Sequence, residues 1–259
     1  MARDLRPLDD WVLKTEWPYL PCPSCADGAL SPDDDGLKTV NSGESIRYRD
    51  HEDWEPEWLM GRFHGVLKCH RPDCQETVVI AGDYKVDTVE GQGNDWQGQA
   101  WGDYLRRRFA RPPLRLLAAP PGTPQPVTEA IDSASEVLWS DPGAAANRLR
   151  VGIEQLLSDR RVPKTAPKTK GGRRRLTTHE RIEKFTITQP TAGSFLEAVK
   201  WIGNAGSHET VLTAKDVLDG AELLEHALHL LYDKRDQKLE RRARQINRRK
   251  GLPRKAVKK

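Results

Sequence analysis

Apolar residues along the 259-residue chain follow two regimes. In the N-terminal part they form short runs rich in β-branched and aromatic residues: Arg62–Lys68 and Thr77–Val86, then Tyr104–Phe109. Such runs predict strands, because branched side chains pack well on a pleated surface. From residue 127 the period becomes helical. Thr128–Ser140 predicts one helix, with Ala130, Val137 and Leu138 buried. Asp141 and Pro142 open the next at N-cap and N1; it buries Ala145, Leu149, Ile153, Leu156 and Leu157 and ends near Ser158. Thr177 to Glu180 has capping-box spacing and opens a short helix to Phe185. Ser194–Tyr232 then predicts two helices. Phe195, Val199 and Ile202, with Trp201 beside them, mark the first; Val217, Ala221, Leu224, Leu228 and Leu231 line one face of the second, behind Thr213 and Asp216. Gly203, Asn204, Gly206 and His208 form the polar turn between them, since Gly and Asn tolerate positive φ at little cost. The second helix is expected to run on into the C-terminal segment.

Between the two regimes, residues 112–126 hold six prolines and a glycine, which excludes regular helix and predicts a linker. The chain divides into a β-rich domain (1–119), a linker (120–126), a helical domain (127–233) and a tail (234–259). The fold class is α+β, and each half is expected to own its core. Charge sharpens the last boundary. The tail carries 13 Lys and Arg against 2 acidic residues, so the chain's +4 is the difference between +11 there and −7 elsewhere. Residues 160–175 add eight basic residues and no acidic one; their Pro and Gly content predicts a mobile loop. No apolar run approaches the roughly 18 residues of a membrane span, and MARDLRPLDDWVLK lacks the apolar core of a signal peptide. The expectation is a cytoplasmic protein with no membrane partner.

All four cysteines lie in the β-rich part, as Cys22-Pro-Ser-Cys25 and Cys69-His-Arg-Pro-Asp-Cys74. A tetrahedral zinc site needs four soft or borderline ligands, and short pairs on tight turns supply two each. Gly28 suits the turn by which such a knuckle wraps its metal. The expectation is a zinc-ribbon-like module in which Cys22, Cys25, Cys69 and Cys74 hold a structural zinc ion. Two disulfides or four unrelated thiols are the alternative, which a reducing cytoplasm disfavours. His64 and His70 could substitute for a ligand, though four cysteines leave no vacancy. The residues between the pairs, 26–68, form an acidic insertion expected to be a solvated loop, with Trp54 and Trp58 in a small satellite core.

Trp201–Glu209, WIGNAGSHE, together with AAANRLRVGIEQLL and LTTHERIEKF, resembles the bacterial domain-of-unknown-function 4145 family, a branch of the HEPN superfamily. The resemblance covers about residues 127–232. It implies an all-α HEPN-like bundle that pairs as a homodimer, and it brings in a metal-independent ribonuclease motif: Arg, a polar residue, then His four to six residues after the Arg. Asn204 and His208 match the polar residue and the His. The Arg position falls on Gly203. His208 would move a proton at the 2′-hydroxyl or the leaving oxygen. The missing Arg would have met the developing phosphate charge. Lys200, one turn earlier, could stand in part for it, without the planar fork of a guanidinium; Arg148 and Arg150 are further candidates. A turn stabilised by Asn204 and His208 for structural reasons is the alternative.

These readings predict a nucleic-acid-binding HEPN-like protein, catalytically weak or inactive, serving with a partner protein in bacterial defence against phage or foreign DNA. Arg173, Arg174 and Arg175 in the loop, with Arg241, Arg242, Arg248 and Arg249 in the tail, are the candidate contacts to RNA or DNA, because basic segments attract phosphate without regard to sequence. An active metal-independent ribonuclease using His208, and a dimeric protein–protein adaptor with no nucleic-acid role, are the alternatives.

Overall fold

The computed structural model describes residues 5–25, 27–89, 100–169, 171–205, 211–233 and 235–251. The N-terminal part is a six-stranded antiparallel sheet: β1 (Val12–Leu13), β2 (Leu20–Pro21), β3 (Ala29–Asn41), β4 (Met60–Cys69), β5 (Thr77–Thr88) and β6 (Trp101–Arg111), in spatial order β1-β6-β5-β4-β3-β2. β3 to β6 make a meander with the two short strands at its edges. Alternation along β4 and β5 turns Phe63, Leu67, Val78, Ile80, Tyr84 and Val86 inward, as expected of a sheet covered on one face. The three anticipated strands are all present.

The acidic insertion expected as a loop contains instead β3, which at 13 residues is the longest strand of the sheet. Its pairing with β4 shifts register between Pro32 and Leu37. A bulge of this kind breaks the period of two and places Asp33 to pair with Lys68. The strand was therefore hidden from a reading based on alternation.

Seven α-helices are present among the described residues: α1 (Gly43–Arg47), α2 (Gln125–Val137), α3 (Pro142–Asp159), α4 (Thr178–Thr186), α5 (Pro190–Ala205), α6 (Ala214–Tyr232) and α7 (Arg235–Arg249). The Asp141 side chain accepts from Ala144 N–H, and Thr177/Glu180 and Thr213/Asp216 form reciprocal capping boxes. α5 starts a turn before Ser194, because Pro190 takes its first position. α3 stops at a Schellman motif: Arg161 sits at φ 57°, Val162 N–H reaches Leu157 O at 2.9 Å and Arg161 N–H reaches Ser158 O at 3.0 Å.

Three local expectations change. α6 does not continue into the basic segment: Asp233 is extended, and Arg160 donates to Leu231 O at 2.7 Å, tying the helix end to α3. The basic segment forms its own helix, α7. Residues 160–175 are not a structureless loop, since β7 (Thr165–Pro167) pairs with β8 (Arg173–Arg175) about Gly171 and Gly172 at φ 84° and 82°. Finally, the proline-rich stretch is no open tether. Leu114, Leu116 and Leu117 are buried, Leu116 N–H donates to Ser135 Oγ at 3.1 Å, and Ala118 N–H donates to the buried Glu225 at 3.2 Å. Buried residues of sheet and helices form one continuous cluster rather than two cores. Across it, the guanidinium carbon of Arg107 on β6 lies 3.1 Å from the centroid of Trp139, just beyond α2.

Candidate functional site

Cys22 and Cys25 lie on the turn between β2 and β3; Cys69 ends β4 and Cys74 lies on the turn into β5. Strand register sets the turns side by side, since Leu30 of β3 pairs with both Leu20 and Cys69. All four sulfur atoms lie within 4.8 Å of one another. Cys22 and Cys74 Sγ are 3.7 Å apart, as are those of Cys25 and Cys69. Those distances are too long for disulfides, at about 2.05 Å. They match the edges, about 3.8 Å, of a tetrahedron with metal–sulfur bonds of about 2.3 Å.

Each sulfur also receives a backbone N–H: from Ser24 to Cys22 at 3.4 Å, from Gly28 to Cys25, from Arg71 to Cys69 and from Glu76 to Cys74. Hydrogen bonds of this kind stabilise thiolates and orient them toward a metal. Burial raises the Cys25 thiol, but the other sulfurs and the Gly28 N–H outweigh it and bring it down to about 7. The Glu76 N–H lowers Cys74, yet burial and its three sulfur neighbours push it up to about 12. Burial likewise raises Cys69. Four thiolates cannot coexist at this spacing without a cation. The donor set fits a metal ion held by four sulfurs, a closed arrangement that leaves no position for a substrate. Gly28 is required here by crowding rather than by its φ: a Cβ would lie 2.3 Å from Cys69 Sγ and 2.7 Å from Cys25 Sγ. His64 and His70 do not belong to the cluster of metal-ligating groups found among the described residues.

Gly203 and Asn204 lie in the last turn of α5 rather than beyond it, while Gly206 and His208 lie outside the described residues. Gly203 marks the crossing of α5 over α3: a Cβ there would lie 3.3 Å from Ala146 O, 3.5 Å from Arg150 Cβ and 3.8 Å from Arg150 Cδ. The stem of Arg150 thus covers the position where the ribonuclease motif would carry its own arginine. Arg150 Nη2 donates to Asn147 Oδ1 at 2.9 Å, and Nη1 to Glu154 at 3.4 Å. Lys200 is buried at 3% exposure. Its ammonium lies 3.3 Å from His179 Nδ1 and 3.1 Å from the Trp201 ring centroid, and burial lowers its pKa against the opposing pull of Glu197 and Glu183. It is engaged inside the fold. His179, noted in the sequence only as part of a capping box, completes this group: its Nδ1 is 3.7 Å from Glu197 and its Nε2 3.6 Å from Glu183.

The three arginines of β8 are all exposed but differ in commitment. Arg173 donates to Thr165 Oγ1 at 2.7 Å. Arg174 forms a two-point pair with Glu180, with Nη1 at 3.0 Å. The Arg175 side chain has no carboxylate partner among the described residues. On α7, Arg241, Arg242, Arg248 and Arg249 are exposed, and Glu240 pairs with Arg244 at 3.1 Å.

Residues 132–249 match the family described as Domain of unknown function (DUF4145), which supports the likeness read at Trp201–Glu209. The match runs past Tyr232 and takes in α7, so the arginine-rich helix lies within the stretch that resembles this family. Residues 11–110, nearly the whole sheet, match Domain of unknown function (DUF8608). No curated protein and no solved structure matches the chain. No described helix is long and apolar enough to cross a membrane.

Proposed function

We propose that this chain is a nucleic-acid-binding protein with an HEPN-like helical part, a structural zinc ion in a zinc-ribbon-like β module, and weak or absent catalysis. In this reading it acts as a homodimer, with a partner protein, in bacterial defence against phage or foreign nucleic acid. The observation that carries the nucleic-acid role is the display of arginine on regular, solvent-facing elements: the β8 edge, and α7 over residues 239–249, where Arg241, Arg242, Arg244, Arg248 and Arg249 are all exposed. Ordered cations lose less freedom than a flexible tail when they meet phosphate. Zinc is favoured over other metals because it accepts four thiolates tetrahedrally and needs no redox partner.

The test is binding of fluorescent single-stranded RNA and DNA across a salt series. Affinity is expected to fall steeply and linearly on a log–log plot, with a slope of about −0.7 per phosphate contacted. Deleting residues 234–259 should flatten the slope without changing helix content beyond α7. Absence of binding at low salt, from a folded and metal-replete protein, rejects the reading in favour of the adaptor.

A second reading, a metal-independent ribonuclease, is favoured by the placement of Arg150 over Gly203. It predicts cleavage without added metal that is abolished in both His208→Ala and Arg150→Ala. Loss of a single preorganised charge-stabilising group costs on the order of a hundred- to a thousand-fold in rate. Gly203→Arg is a poor test, because a side chain there meets Ala146 O and the Arg150 stem.

A further inference from the structure

Between α3, the β7–β8 hairpin and the start of α4 lies a cleft of about 520 Å³. Its wall carries four cations, Arg150, Lys164, Arg175 and Arg181, against one carboxylate, Glu154. That carboxylate is already engaged, since it accepts from Thr178 Oγ1 at 2.5 Å and from Arg150 Nη1 at 3.4 Å. Neither Lys164 nor Arg175 has a carboxylate partner among the described residues.

Arg181 is the buried member, 5% exposed. It donates to Glu154 O at 3.3 Å, Ser158 Oγ at 3.1 Å and Val162 O at 3.4 Å, while its Nε is buried without a partner. A buried guanidinium with an unused donor is costly unless something anionic approaches it. Burial, and after it the charge of Arg175, lowers its proton affinity against the pull of Glu154. Positive charge at this spot thus exceeds what the fold itself neutralises.

We propose that this cleft binds a phosphate ester of nucleotide size, with Arg175 and Lys164 meeting the phosphate oxygens at the rim and Arg181 supplying positive charge from the floor. Guanidinium forks match phosphate geometry, and the volume falls within the roughly 300–1,000 Å³ of small-ligand sites. Choosing a phosphate ester over other anions rests on the nucleic-acid reading above. The phosphate could belong to a free nucleotide or to a strand, and the experiment separates the two.

Calorimetric titration of the full chain with inorganic phosphate and adenosine 5′-monophosphate would be run beside anisotropy with a single-stranded oligonucleotide. Three proteins are needed: the parent, Lys164→Glu with Arg175→Glu, and Arg241→Glu with Arg242→Glu. All four positions are exposed, so each variant should fold, as circular dichroism would verify. The cleft variant is expected to lose at least about tenfold in affinity for the monophosphate, and the α7 variant to keep it. If the oligonucleotide competes with the monophosphate, the strand is the source of the phosphate; if both bind without competing, the free nucleotide is. No monophosphate binding by the parent, or equal affinity in the cleft variant, overturns the proposal. In either case the nucleic-acid reading survives if the strand still binds through α7. Monophosphate binding with no strand binding at any salt leaves the cleft intact and removes that reading instead.

Discussion

Gly28 shapes the metal centre without touching the ion, because the space its missing Cβ leaves is occupied by two ligand sulfurs. Gly28→Ala would have to push Cys69 or Cys25 aside, or open the turn that Cys22 N–H closes on Gly28 O at 2.8 Å. All four cysteines are retained in this variant while their tetrahedron is distorted. Disturbing groups that orient the ligands commonly costs about 10- to 100-fold in metal affinity, and a loss of this size is expected here. Competition against a chromophoric chelator measures it. Affinity equal to that of the parent would mean that the turn relaxes freely and that the glycine has no such role.

The elements that were legible in the sequence are those whose cause is local. Capping boxes at Thr177 and Thr213 and the Asp141-Pro142 start use side chains within three residues of the backbone they cap, so the sequence contains the whole interaction. The four cysteines were legible as a set because short spacing encodes a knuckle. β3 was not, because its bulge breaks the alternation. The β7–β8 hairpin had a usable signal in its Gly171-Gly172 pair, which the surrounding charge masked. Burial of Leu114, Leu116 and Leu117 depends on partners far along the chain, such as Ser135 and Glu225, and no local rule reports that. Neither the contact between Gly203 and Arg150 nor that between Lys200 and His179 leaves a local trace either.

The hairpin's attachment to α4 yields a pH prediction. The Arg174 guanidinium, and after it the Thr177 N–H, hold the Glu180 carboxyl down to about 2, from an ordinary 4.5. A lowered carboxylate contributes stability that is complete above the unfolded value and is lost as pH falls toward the folded one. Glu180→Gln is therefore expected to melt below the parent at neutral pH, with the gap closing between pH 4.5 and 2. Paired thermal melts at stepped pH would show it. A gap that persists unchanged to the acid end would show that the pair contributes through shape rather than charge.

On the scale of the whole molecule, the proline-rich stretch decides how the two halves communicate. It lays three buried leucines into the common core. Arg107 closes over Trp139 beside it, donating to Leu8 O at 3.3 Å. Near the N-terminus, Arg6 reaches Asp219 at 3.2 Å and also pairs with Glu222, both on α6. The exposed Arg6 pairs add little; the buried leucines and the Trp139 ring carry the coupling. Trp139→Ala is expected to cost about 3–5 kcal/mol, the usual range for an aromatic removed from a core, and to lower the stability of sheet and helices together. Metal removal tests the same coupling from the other end. The Cys22–Cys74 cluster pins the ends of β2, β3, β4 and β5, so stripping the ion should loosen the sheet, open the buried cluster that sheet and helices share, and destabilise the helices in turn. Chelation followed by heating should then give one transition in which tryptophan fluorescence and the helical circular-dichroism signal change together, at a lower temperature than in the metal-replete protein. If the helical signal instead melts separately at its original temperature, the shared core does not couple the halves, and each folds as an independent domain.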